Sequence, residues 1–227
     1  MNDAKELILQ IKEKKQQYKT DSYPMSLGEV INLYKNNELV INPDFQRFFR
    51  WSKRQRSRLI ESILLGIPIP SIFVYQSENG IWEIVDGLQR VSTILEFVGE
   101  LKEEPKKNKL PQLILEGIEN LNLLNGNSWN SLPVNLKLDF KRSKFKFEII
   151  QKESDPNAKF EVFMRLNTGG SNLSSQELRN TWLVMYNKDF YKWLEDLSRN
   201  TDFENTLSLT DKLKDERYDM ELALCYI

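Results

Sequence analysis

Two periods alternate along this chain, and the places where one gives way to the other mark its elements. In "SLGEVINLY", Leu27, Val30, Ile31 and Tyr34 recur at three- and four-residue spacing, which makes one helical face apolar. Ser26 and Glu29 stand at its start with the spacing of a capping box. "SKRQRSRLIESILLG" repeats the design: Ser52 and Gln55 open the helix, Leu59, Ile60, Ile63 and Leu64 face inward, and Gly66 stops it. Before it, "LVINPDFQRFFRW" reads as a short strand broken by Pro43. "SIFVYQ" and "IWEIVD" flank the turn signal "SENG" and predict a β-hairpin. The second strand runs directly into "VDGLQR", after which Val91, Ile94, Leu95 and Val98 return at helical spacing, so that hexapeptide occupies the first turn of a helix. "KFKFEIIQ" alternates like a half-buried strand.

Both ends read as helix. Residues 5–19 carry mixed charge around Leu7, Ile8 and Ile11 and predict an amphipathic leader packed lightly on the rest. "PNAKFEVFMRLNTGG" predicts a helix from Pro156 into a glycine-terminated loop, and Ser174 with Glu177 opens a wholly helical tail. That tail reads as an amphipathic helix still in progress at Ile227, so the natural chain is expected to continue. Residues 101–127, with Pro105 and Pro111 among Lys, Glu, Asn and Leu, show no period and read as an insertion.

Composition narrows the chemistry. A chain of 227 residues, 40% apolar, can bury one substantial core with a helical appendage. With 32 basic against 33 acidic side chains there is no global field to draw it to nucleic acid or membrane. The longest apolar stretch, Ile63 to Tyr75, is too short for a bilayer and is interrupted by Pro68 and Pro70. A single cysteine, Cys225, excludes an internal disulfide framework, and nothing resembles a secretion signal, so a cytoplasmic location is expected. There is no histidine. That excludes HNH-type nuclease centres, histidine-based triads and nearly every zinc site, so no nuclease centre is expected in this chain. Its chemistry rests on carboxylates, amides, guanidinium groups and backbone.

Three stretches could carry such chemistry. In "VDGLQR" a helix N-terminus offers unpaired N–H groups, Gly87 lets the backbone approach a ligand, Arg90 supplies a fork matched to phosphate, and Asp86 could hold magnesium or orient a water. Ordinary helix capping explains the same residues. In "NPDFQRFFRW", Gln46, Arg47 and Arg50 stand among aromatics, where cationic groups can stack on a base or bind phosphate, or simply snorkel to solvent. In "FMRLNTGGSNLSSQELRN", Arg165, Asn167, Thr168, Gly169 and Gly170 lie between two helices, as a ligand loop or a plain connection. The basic run "KRQRSR" invites a DNA reading, although such runs are more often solvated faces.

In this order and spacing the three stretches resemble the N-terminal nucleotide-binding domain of the GmrSD-type, modification-dependent restriction enzymes, over about residues 26–227. That family's Gln-Arg pair, Asp-Gly-Gln-Gln-Arg box and Phe-x-x-x-Asn box fall on Gln46 and Arg47, on Asp86 to Arg90, and on Phe163 with Asn167. The resemblance implies an α+β fold: a ParB/sulfiredoxin-like mixed-sheet core over residues 21–155, after a leader at 1–20, with a helical subdomain at 156–227. It implies a Mg2+-dependent nucleoside-triphosphate-binding and hydrolysing domain that licenses a nuclease domain or subunit outside this chain, with DNA as a further partner and a homodimer left open. In that reading Asp86, Gln89 and Arg90 are catalytic and Asp86 is the metal ligand. Gln46, Arg47, Arg50, Gly87, Thr93, Arg165, Asn167, Gly169 and Gly170 bind the nucleotide. Arg47 and Arg90 neutralise phosphates, Gln46 and Gln89 orient metal or water, and Asn167 closes the pocket from the helical side.

Two positions depart from the pattern: Leu88 replaces the first glutamine of the box, and Cys225 stands where relatives often carry an arginine. Sulfiredoxin chemistry is excluded, because no cysteine lies at the turn, and a P-loop is absent, because no Gly-Lys pair occurs. Two readings from other classes remain: a DNA-modification reader without nucleotide turnover, using the cluster at 45–51, and a degenerate module that only holds a nuclease partner.

Overall fold

The computed structural model describes residues 2–41, 51–103, 108–151, 154–155, 158–168, 179, 183, 187–210, 213 and 218–225. In chain order the elements are α1 (Asn2–Gln16), β1 (Thr20–Ser26), α2 (Leu27–Lys35), β2 (Leu39–Val40), α3 (Lys53–Leu64), β3 (Ile72–Gln76) and β4 (Trp82–Asp86). They continue with α4 (Leu88–Val98), β5 (Lys102–Glu103), β6 (Asn108–Lys109), α5 (Val134–Arg142), β7 (Lys144–Ile150), α6 (Ala158–Thr168), α7 (Lys188–Ser198), α8 (Thr201–Thr206) and α9 (Tyr218–Cys225). The chain divides into two units, Met1–Lys159 and Phe160–Ile227. Among the described residues, no helix is long and apolar enough to cross a membrane.

The first unit is α+β around a mixed five-stranded sheet in the order β1-β7-β3-β4-β2. β1 pairs antiparallel with β7, β7 parallel with β3, β3 antiparallel with β4, and β4 parallel with β2. Alternation along β7 sends Phe145, Phe147 and Ile149 to one face and Lys144 and Lys146 to the other. On the buried face these rings meet Met25 of β1, the stripe Leu27, Val30, Ile31 and Tyr34 of α2, Leu59, Ile60 and Ile63 of α3, and Val91, Ile94, Leu95 and Phe97 of α4. Phe97, Trp129 and Phe140 interlock edge-to-face, with ring centroids 5.5–5.7 Å apart. At α3 the capping box closes in both directions between Ser52 and Gln55. At α2 only half of it forms: Ser26 Oγ accepts from the Glu29 N–H at 3.2 Å, and the Glu29 carboxylate does not return the bond.

The segment without period is held by side chains of α3 rather than by a face of its own. Glu61 is buried, and its Oε1 accepts from the N–H groups of Asn120 and Leu121, both at 2.9 Å. Ser57 Oγ accepts from Glu116 N–H at 2.9 Å, and Arg54 pairs with Glu119 at 2.5 Å. Helix α1 forms, with residues 4–16 all exposed. In the second unit α7 and α9 pack on one another, Tyr191, Leu194, Met220 and Ala223 are buried, and Arg179 pairs with Glu221 at 2.7 Å. The third expected capping box, Ser174 with Glu177, lies outside the described residues.

Candidate functional site

The site is built where β4 ends. Asp86 is the last residue of the strand and Leu88 the first of α4, so one residue must reverse the chain. Gly87 does so at φ 96°, in the left-handed region, and a Cβ there would collide with Ile72 Cδ1. Only glycine fits. Because Gly87 has no side chain to cap the helix, the first-turn amides, which lack intrahelical acceptors, stand beside Asp86 with the positive end of the helix dipole.

Arg90 locks this turn. Its Nη2 donates to Asp86 Oδ2 at 2.6 Å, and its Nη1 donates to the backbone oxygens of Pro70 at 2.6 Å and Ser71 at 3.1 Å. The guanidinium is 12% exposed and the carboxylate 30%. One fork therefore ties the entry of β3 to the exit of β4 and fixes the carboxylate. Among the described residues Asp86 Oδ1 receives no hydrogen bond. Gln89 Oε1 accepts from the N–H of Trp51 at 3.3 Å, which brings the end of "NPDFQRFFRW" against the turn. Two of the three sequence stretches thus meet here.

Gln46, Arg47 and Arg50 lie outside the described residues, as do Gly169 and Gly170. Thr93 is fully buried, and its hydroxyl donates to Gln89 O at 2.7 Å, so it supports the first turn of α4 from within instead of facing a ligand. Arg165 is exposed on α6 beside Glu161 at 3.9 Å, and Asn167 belongs to the last turn of that helix, in the second unit. Phe163 is a buried side chain of the same helix. Leu88 packs against the core of the first unit. Two cations of the basic run are paired, Arg54 with Glu119 and Arg56 with Glu96, both at 2.5 Å, and Lys53 and Arg58 are exposed. Sequence reasoning missed the carbonyls of Pro70 and Ser71 and the Trp51 N–H, because backbone groups twenty to forty residues away leave no residue-type signal. On β3, the Tyr75 phenol is raised above its ordinary value of 10.0, by burial first and then by the charges of Glu78 and Glu83.

Residues 27–184 match the family model described as GmrSD restriction endonuclease, N-terminal domain, which spans the Asp86–Arg90 turn and most of the chain. The chain belongs to this family. It therefore carries an N-terminal domain of a restriction-endonuclease family, and the turn just described lies inside the shared region. Among curated proteins and among solved structures, no significant match is found.

Donor chemistry limits how a GmrSD-type domain of this sequence could hold magnesium. No group of three histidine, cysteine, aspartate or glutamate side chains with ligand geometry occurs among the described residues. A single carboxylate suits Mg2+ when phosphate oxygens and waters complete its octahedron. The Asp86 carboxylate fits that role and does not fit a dedicated metal cage.

Proposed function

We propose that the Asp86–Arg90 turn is the phosphate side of a nucleoside-triphosphate site, and that this domain binds Mg2+-nucleotide to license a nuclease outside the chain during DNA restriction and anti-phage defence. One observation carries the reading: Asp86 is held through Oδ2 by Arg90, with no hydrogen bond to Oδ1 among the described residues, beside an uncapped helix N-terminus at a turn where only glycine fits. Oriented amides and a positioned carboxylate meet the two needs of a metal-bound polyphosphate.

The chain's own residues take these roles. Asp86 holds the metal or the attacking water through Oδ1. Arg90 acts through Asp86, since its donors already engage Asp86, Pro70 and Ser71. Gln89 accepts from the N–H of Trp51 and so fixes the end of that segment against the turn. Phosphoryl transfer to water asks mainly for positioning and charge stabilisation, which this constellation supplies. Leu88 contributes packing where the family box has an amide, so turnover is slower than binding would suggest.

A thermal-shift panel of common nucleotides, with and without magnesium, tests the proposal, because a ligand that binds only the folded state raises its melting temperature. A magnesium-dependent rise with a triphosphate, lost in Asp86→Asn, is the expected outcome. No shift with any triphosphate, or an equal shift in the variant, contradicts it.

A further inference from the structure

Trp82 begins β4 at the end opposite Asp86, about 13 Å away at ordinary strand rise. It lines a cavity of about 350 Å3 with Tyr23 of β1, Glu29 and Leu33 of α2, Glu38, and Asn79 of the hairpin turn. The nucleotide reading does not use this hollow, and the inference below does not depend on that reading. Its volume is at the small end of the range for ligand sites.

The walls carry a distinct chemistry. Two carboxylates line the cavity, and among the described residues no lysine or arginine does. Glu29 is placed to close a capping box and does not, and among the described residues no hydrogen bond or cation engages its carboxylate. Glu38 accepts one bond, from Asn36 Nδ2 at 3.2 Å. Both residues are exposed, so water screens their mutual repulsion, and a cation held against them gains from both charges. Trp82 is steadied by the Phe147 ring, with centroids 6.1 Å apart, and Tyr23 is 48% exposed. Aromatic faces attract organic cations. A divalent metal would need more oxygen donors, and no three-ligand group occurs among the described residues. An anion is repelled.

We propose that this cavity binds a small free organic cation, an ammonium or guanidinium on an alkyl stem, with its charge against Glu29 and Glu38 and its stem along Tyr23, Leu33 and Trp82. Calorimetric titration of the intact chain with agmatine and with spermidine tests it. Saturable binding that weakens as salt rises is expected, with at least about a tenfold loss in the Glu29→Gln/Glu38→Gln double variant and a several-fold loss in Tyr23→Ala. Urea unfolding confirms that the variants fold. Absence of saturable binding by either probe at millimolar concentration overturns the proposal. So does unchanged affinity in the folded double variant, or equal affinity for an uncharged alkylurea of the same length.

Discussion

The two ends of β4 are built on opposite principles. At its C-terminal end Asp86 and Arg90 satisfy one another and two backbone carbonyls, and Gly87 is wedged against Ile72. At its N-terminal end the carboxylates of Glu29 and Glu38 line a hollow that, among the described residues, holds no basic side chain. The contrast separates groups that define the fold from groups that the fold merely presents. Substitutions at the first end should cost stability. Substitutions at the second should alter binding and leave stability nearly unchanged.

The sharpest break of that contrast is Gly87→Ala. A left-handed backbone and a collision with Ile72 together predict a loss of roughly 3–5 kcal/mol in urea unfolding. Gly66→Ala is the matched control: at φ 70° with no atom within 4 Å of the new Cβ, it should cost only about 1–2 kcal/mol. Equal losses at both positions would show that backbone strain alone, without the wedge, explains Gly87.

Arg90→Ala comes next. It leaves Asp86 and the carbonyls of Pro70 and Ser71 without their donor, and should cost about 1–3 kcal/mol. The loss should appear in the absence of any nucleotide. A variant as stable as the parent would mean that the fork is free to serve a ligand directly. At the other end of the strand, Glu29→Gln should stay within about 0.5 kcal/mol of the parent, because no partner among the described residues is lost. A larger loss would assign Glu29 a structural role.

The smallest effect is a matter of pH. Tyr75 holds its proton more tightly when folded, through burial first and then Glu78 and Glu83. Its contribution is fully present below about pH 10, the unfolded value, and fades as pH rises through the higher folded value. Tyr75→Phe should therefore flatten the fall of stability above pH 10.0 and leave the neutral range unchanged, as read by urea midpoints across pH. An identical alkaline slope in both proteins would refute the assignment.

How much of this was legible follows from where each signal resides. The α2 stripe, the β3–β4 hairpin and the alternation of β7 are local periods, and all are present in the structure. β1 was not read, because it is an edge strand whose residues 20–24 are exposed and which carries Pro24, so alternation has nothing to select it. α5 was not read either: Val134 and Leu138 are exposed and only Phe140 is buried, which leaves no stripe. The segment around 110–132 is ordered by Ser57 and Glu61 some sixty residues away, a form of order without period. At the site, Asp86 and Gly87 were legible as residue types, whereas the clasp made by Arg90 was not. Its acceptors are backbone oxygens, which every residue possesses. The mixed topology of the sheet is directly observed, whereas no solved structure matches to test the expected likeness to ParB and sulfiredoxin.

Calorimetry of magnesium-nucleotide binding to the parent and to Asp86→Asn tests the central claim most directly. Asparagine keeps an oxygen for Arg90 and removes the charge, so the turn stays built while the metal ligand is lost. The account predicts triphosphate binding by the parent and at least about a tenfold loss, roughly 1.4 kcal/mol or more, in a variant that urea unfolding shows to be folded. Equal affinity in the two proteins, or no triphosphate binding by the parent, would contradict it.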